Sequence, residues 1–189
     1  AGAAVRQAIA ATKYQVLSWQ GAPIHGVYHA TNGGIAAGFE EVWSGDALPY
    51  LRPRVDGPPA VAAAVVLPLQ PARLGAALAA TARAYGFDHP RFRWSRQLDS
   101  AQIQQALSRA ALPLGLPPTR LAVLERGPSG RVVRLAIEGP RGRVVLERDA
   151  IRRTYRQLPS TLFLLSPTGR RGVFSAARVR QEVAKLTCV

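Results

Sequence analysis

The groups able to do chemistry in this chain of 189 residues are few, and most stand in its first third. His25 and His29 lie four apart in a stretch that reads as a strand, so both side chains are expected on one face. With a third ligand such a pair can hold zinc. No Cys, Asp or Glu stands beside them at a familiar ligand spacing, however, so neither a metal nor another cofactor is expected. Glu40 and Glu41 are a paired-carboxylate candidate for acid–base work, but adjacent carboxylates rarely act on one bond. The plainer reading has one of them in solvent while Val42-Trp43 packs inward. Thr31-Asn32-Gly33-Gly34 is a loop on composition, because tandem glycines permit positive φ and close backbone approach. There is no Gly-x-Ser-x-Gly elbow, phosphate loop or dinucleotide fingerprint. The single Cys188 excludes an internal disulfide and leaves the redox compartment unread.

The elements that must position these groups alternate between strand and helix patterns, giving an α+β reading. Residues 1–13 are a short helix or an entry strand. Tyr14 to Trp19 and Pro23 to His29 alternate around Gln20-Gly21, which predicts a β-hairpin leading into the glycine loop. Pro49 to Pro59 holds four prolines and one glycine. A change of subdomain is therefore expected there, dividing a hairpin and glycine-loop region (1–59) from a basic α+β region (60–189). Ala60 to Leu69, interrupted by Pro68, reads as a buried segment. From Ala72 a helix places Leu74, Ala77, Leu78, Thr81 and Tyr85 on one face and ends at Gly86. A second helix starts at Asp99-Ser100, with Gln102 set for a capping box, and shows Ile103, Ala106, Leu107, Ala110 and Ala111 before Pro113 stops it. Leu121 to Glu125, Arg131 to Ile137 and Arg143 to Glu147, joined by two Gly-Pro-containing turns, predict a three-stranded antiparallel meander. A short helix over Asp149 to Tyr155 and a strand over Thr161 to Leu165 follow. The tail from Ala176 to Leu186 is amphipathic through Val179, Val183 and Leu186.

An apolar content of 48% suits a globular protein. No apolar run reaches the roughly 18 residues needed to span a bilayer. No secretory signal and no methionine is present, so a processed chain or a fragment of a longer one is expected. The net charge of +14 lies wholly in residues 61–189, since acids and bases balance over 1–60. Only Lys13 and Lys185 are lysines; the other 23 basic residues are arginines. Arginine's planar fork grips carboxylate and phosphate, so either an anionic partner or a compositional habit of the surface explains the excess. If it is a binding device, arginines of the 131–156 region should carry a salt-sensitive attraction.

From Thr12 to Asp56 one ordered string stands out. Thr12-Lys13-Tyr14 leads through Trp19-Gln20-Gly21-Ala22-Pro23-Ile24 to Tyr28-His29-Ala30-Thr31-Asn32-Gly33-Gly34. Glu40-Glu41-Val42-Trp43, Leu48-Pro49-Tyr50-Leu51-Arg52 and Asp56 follow. This string resembles the central segment of the stage II sporulation protein D and amidase-enhancer family. Later landmarks fit the same pattern: Ser129-Gly130-Arg131-Val132, Ile151-Arg152 and Ser160-Thr161-Leu162-Phe163. Two of that family's elements are not matched: the helix bearing its presumed catalytic glutamate, and a later Gly-His-Gly-rich motif. Ala36 and Ala37 also depart from its loop, and the cysteines through which some members bind metal are not found.

The resemblance implies a peptidoglycan-directed protein of the lytic transglycosylase kind, located outside the cytoplasm. In that chemistry one carboxyl group protonates the leaving oxygen and the sugar's own 6-hydroxyl closes on C1, so a single glutamate does the work that ordinary glycosidases divide between two carboxylates. No catalytic residue is assigned here, and a fragment or a form inactive by itself is expected. The resemblance points to His29, Thr31, Asn32, Gly33, Gly34 and Tyr50 as substrate-binding residues. The loop amides and hydroxyl would bond sugar groups, His29 would orient an oxygen, and Tyr50 or Trp43 would stack on a ring, core packing being the plainer role for Trp43. Partners implied are glycan strands, a wall amidase and an anionic wall polymer. The alternatives are a non-catalytic wall-binding or amidase-stimulating module and a basic nucleic-acid binder, the latter without a recognised motif.

Overall fold

In the computed structural model, residues 2–112, 118–167 and 184–188 are described. The chain divides into two compact units, residues 1–30 and 31–189.

The first unit contains helix α1 (Ala3–Ala11), none of whose residues is buried. A hairpin of two-residue strands follows, β1 (Ser18–Trp19) and β2 (Ala22–Pro23), in register Ser18↔Pro23 and Trp19↔Ala22. Gln20 and Gly21 both have positive φ, 50° and 81°, as the tight turn matched to strand twist requires. The hairpin is present but shorter than its alternation predicts. Beyond one further bond, from the Ile24 amide to the Leu17 carbonyl at 3.0 Å, residues 24–29 form no regular strand. The shared strand face expected for His25 and His29 is therefore not formed, and both are exposed.

The second unit is α+β. Strands β3 (Ile35–Ala36) and β4 (Arg54–Val55) pair antiparallel, clasping the segment between them. Helices α2 (Pro59–Ala63) and α3 (Leu74–Ala80) lead to strand β5 (Trp94–Leu98) and helix α4 (Ser100–Arg109). The predicted meander is formed by β6 (Arg120–Arg126), β7 (Val132–Gly139) and β8 (Gly142–Glu147), in that order. Helix α5 (Asp149–Thr154) follows, then β9 (Leu164–Pro167) and β10 (Ala184–Cys188). Strand β10 lies between β5 and β9 in a second three-stranded sheet. The tail was amphipathic by sequence; its residues 184–186 are in this strand, and 176–183 lie outside the described residues, as does Pro113.

One core holds the unit together: Leu74 and Leu78 of α3, Ile103 and Leu107 of α4, Leu135 and Ile137 of β7, Ile151, Leu162 and Phe163 are all nearly sealed from solvent. Helix α4 is started by a reciprocal cap. The Asp99 carboxylate accepts from the Gln102 amide at 2.7 Å, and Gln102 accepts from the Asp99 amide at 3.0 Å. Helix α3 stops earlier than its periodicity predicts. The Thr81 hydroxyl donates to the Ala77 and Leu78 carbonyls, the chain tightens into a turn over Thr81–Arg83, and Tyr85 is left exposed. Of the segment 60–69, only Val65 and Leu69 are buried, because α2 keeps its alanines at the surface. No helix among the described residues is long and apolar enough to cross a membrane.

Candidate functional site

The glycine loop is a closed turn gripped from elsewhere in the chain. Gly33 and Gly34 take φ of 69° and 87°. A Cβ on Gly34 would lie 2.8 Å from the Cβ atoms of both Thr81 and Ala84, so only glycine fits there on both counts. The Asn32 side chain closes the turn from within. Its oxygen accepts from the Gly34 amide at 2.8 Å, and its nitrogen donates to Asp56 Oδ2 at 2.6 Å. The Gly33 amide donates to the Thr31 hydroxyl at 3.3 Å, and the Asp56 amide donates to the Gly34 carbonyl at 2.9 Å.

Two arginines hold the remaining carbonyls. Arg131, at the foot of β7, donates to the Asn32 carbonyl at 3.0 Å and the Ile35 carbonyl at 2.8 Å. Arg93, just before β5, donates to the Gly33 carbonyl at 2.9 Å while its other nitrogen reaches the Leu78 carbonyl and the Thr81 hydroxyl. Such forked donation across a turn is what a planar guanidinium does and an ammonium cannot. Arg131 also donates to Ser129 Oγ at 3.0 Å, and Ser129 Oγ donates to Glu41 Oε1 at 2.8 Å. The Ser129 amide adds a bond to the same oxygen at 2.7 Å, and the Gly38 amide donates to Glu41 Oε2. Glu41 is 1% exposed and Arg131 6%. The buried carboxylate is thus matched by three donors and linked through one hydroxyl to a buried cation, which is how such charges are tolerated away from water. Gly127 belongs to the same construction, since any Cβ there would collide with the Glu41 carboxylate.

The expected site residues are therefore only partly brought together. Thr31, Asn32, Gly33 and Gly34 share one turn, but the last three are buried and the amide protons of Gly33 and Gly34 are committed inside the protein. These hydrogen bonds shape the loop from within. Tyr50 is half-buried, and His29 is exposed in the first unit. Of the carboxylate pair it is Glu41 that goes inward, while Trp43 is 41% exposed, the reverse of the packing expected of it. Enclosed by three donors, Glu41 is in no position to pass a proton to a substrate. Among the described residues no three of His, Cys, Asp and Glu form a group able to hold a metal ion.

A second arrangement lies where the turn Phe39–Glu41 meets the meander. Arg148, between β8 and α5, has φ 49° and ψ −128°, a conformation costing on the order of 1–3 kcal/mol for a residue with a side chain. Its amide donates to the Val133 carbonyl at 2.8 Å, its Nε to the Glu40 carbonyl at 2.9 Å, and the next amide, of Asp149, to the Val42 carbonyl at 3.1 Å. These bonds dock segment 39–43 on the sheet and hold Arg148 in its strained form. The Glu40 side chain folds back against Gly38, with Oε2 covered and without a hydrogen-bond partner among the described residues.

The basic surface is more neutralised than the sequence shows. Arg120 pairs with Glu138, Arg134 with Glu147 and Glu125, Arg148 with Glu147, and Arg152 and Arg153 with Asp149, at 3.2–3.9 Å. These pairs are substantially exposed, so each is worth about 0–1 kcal/mol. Arg131 is structural. Arg141, Arg143 and Arg156 are the exposed arginines of the 131–156 stretch with no ion pair among the described residues.

Sequence reasoning quoted Asn32, Glu41, Asp56 and Ser129-Gly130-Arg131 as landmarks without seeing that they form one network. Arg93 it missed altogether, since a lone arginine carries no spacing signal. The model of one family, described as a domain of unknown function (DUF8618), matches residues 37–179, a span that includes Glu41, Asp56, Arg93, Ser129 and Arg131. No curated protein and no solved structure matches the chain. With well over half of its length matched, the chain belongs to the DUF8618 family.

Proposed function

We propose that this chain is a peptidoglycan-directed protein, similar to the sporulation protein D type of lytic transglycosylase, that binds glycan strands without cutting them by itself. One observation carries the reading. Part of the landmarks on which the resemblance rests, Asn32, Gly34, Glu41, Asp56, Ser129 and Arg131, stand far apart in sequence and converge on one buried network. Chance matches to a pattern have no reason to meet in space. The enclosure of Glu41 supports binding without cleavage, because a general acid must reach the bond it protonates. On this reading the protein works outside the cytoplasm, beside the wall and an amidase that acts on it, and its unpaired arginines favour anionic wall polymer.

Incubation of the chain with purified sacculi, followed by mass analysis of soluble products, tests the proposal. Retention of the protein on sacculi without products is the expected result. Release of 1,6-anhydro muropeptides above a protein-free control would overturn the non-cleaving part and make Glu40 the carboxylate to replace. Retention on DNA but not on sacculi would favour the nucleic-acid reading instead.

A further inference from the structure

We propose that β8 is a pairing edge through which two copies of this chain join antiparallel, Val145 against Val145, so that their meanders become one continuous sheet. The inference stands on the strand edges alone and does not depend on the wall-directed reading.

A sheet edge leaves main-chain groups unpaired, and proteins blunt such edges with bulges, prolines or like charges. The two three-stranded sheets have four edges, β6 and β8 in one and β5 and β9 in the other. Three of them are blunted. The register of β6 shifts between Val123 and Arg126. Strand β9 ends on Pro167, which has no N–H to donate. Strand β5, paired with its own copy about its centre, would set Arg96 against Arg96. Strand β8 has none of these features. It contains no proline, and its register with β7 runs unbroken from Gly142 to Glu147.

Two bonds near the ends of β7 show which main-chain groups of β8 point out of the sheet. The Glu138 carbonyl accepts from the Thr119 amide at 2.8 Å, so residue 138 turns its polar groups toward β6 and away from β8. The Val133 carbonyl accepts from the Arg148 amide at 2.8 Å, so residue 133 turns toward the β8 side. Alternation between these points makes Ile137 and Leu135 the residues that exchange bonds with Val144 and Leu146. Arg143, Val145 and Glu147 therefore direct their N–H and C=O groups outward. None of these groups has a hydrogen-bond partner among the described residues.

A second copy fits this edge in side chains as well as in main chain. With a two-fold axis at Val145, Arg143 of each copy lies opposite Glu147 of the other, and both contacts follow from one operation. Arg143 is exposed and has no ion pair among the described residues, and Glu147 is exposed on the same side of the sheet. On the other side Val144 meets Leu146 of the second copy, which extends the apolar face that already covers the core. Three residue pairs, 143 with 147, 145 with 145 and 147 with 143, would exchange two main-chain bonds each. Hydrogen bonding, apolar pairing and charge thus agree on a single register.

Sedimentation equilibrium of the whole chain over a concentration series tests this, in about 0.15 M salt to screen the net charge of +14 on each copy. A reversible equilibrium between one and two chains, with micromolar dissociation, is expected of an interface this small. Arg143→Glu sets two carboxylates against Glu147 of the second copy and should weaken the dimer about tenfold. Glu147→Arg should do the same, and the double exchange should restore it. Val145→Pro, which removes an outward N–H and leaves the ladder to β7 whole, should abolish it. Thermal melts of the variants at monomeric concentration, matched to the parent, establish that the fold is kept. A chain that stays monomeric up to about 0.5 mM overturns the proposal. So does a dimer that Arg143→Glu and Val145→Pro leave intact, or one that the double exchange fails to restore.

Discussion

Replacing Arg131 by methionine removes the guanidinium that joins the loop to the Ser129–Glu41 pair while keeping much of the side-chain volume. Three bonds go at once: those to the Asn32 and Ile35 carbonyls and to Ser129 Oγ, at 2.8–3.0 Å. Two buried carbonyls then lack their donor, and Glu41 loses the cation that the hydroxyl relays to it. Orphaning a buried polar group costs about 1–3 kcal/mol, and removing one partner of a buried charged pair about 3–5 kcal/mol. These terms overlap, so the expected total is about 3–5 kcal/mol, or a fall in melting temperature of roughly 6–20 °C for a domain of this size. Urea and thermal unfolding followed by circular dichroism measure it. Arg143→Met, an exposed comparator without an ion pair, should change stability by about 0.5 kcal/mol or less. Combining Arg131→Met with Glu41→Gln should cost less than the sum of the two, because the second change removes the charge that the first leaves uncompensated. A loss below about 1 kcal/mol for Arg131→Met would refute the reasoning that this network holds the loop.

Three further outcomes follow from other parts of the structure. The Tyr155 side chain is buried with its hydroxyl unpartnered among the described residues, and burial pushes its pKa above the ordinary tyrosine range. Its contribution is fully present below the unfolded value of about 10 and is lost as pH rises beyond it, so Tyr155→Phe should be neutral or slightly stabilising at pH 7 and should blunt the alkaline loss of stability in melts taken from pH 8 upward. Gly34→Ala meets two Cβ atoms at 2.8 Å and should cost about 2–4 kcal/mol, whereas Gly33→Ala, with its nearest neighbours at 3.6 Å, should cost only the left-handed backbone term of about 1–2 kcal/mol in the same unfolding assay. Binding to an anionic polymer should lose salt dependence when Arg141, Arg143 and Arg156 are changed to alanine, and should keep it when the ion-paired Arg152 and Arg153 are changed instead; a salt titration of affinity separates the two.

Where period and punctuation were strong, the fold could be read from the sequence. The capping box at Asp99 and Gln102, the meander with its two turns, and the Gln20-Gly21 hairpin all have local causes. Strand β5 was missed because its three middle residues, Ser95 to Gln97, are all exposed, so no alternation marks it. Strands β3 and β4 are two residues each, too short to show a period. The end of α3 depended on which way one hydroxyl, on Thr81, turned. The candidate site was legible as a set of residue types and not as an arrangement. The Gly-Gly pair announced a special turn, but nothing local said that two arginines sixty to a hundred residues away would close it. Trp43 was expected inside because tryptophan is large and apolar; it stacks on Phe39 and remains 41% exposed.

Co-sedimentation with purified sacculi stripped of anionic polymer, in high salt, tests the central claim most directly. Salt suppresses attraction through exposed arginines, and stripping removes the polymer they would grip, leaving glycan recognition alone. The chain is expected in the pellet, and displaced from it by soluble glycan fragments. A chain that stays in the supernatant under these conditions, or pellets only at low salt with unstripped walls, would contradict the account.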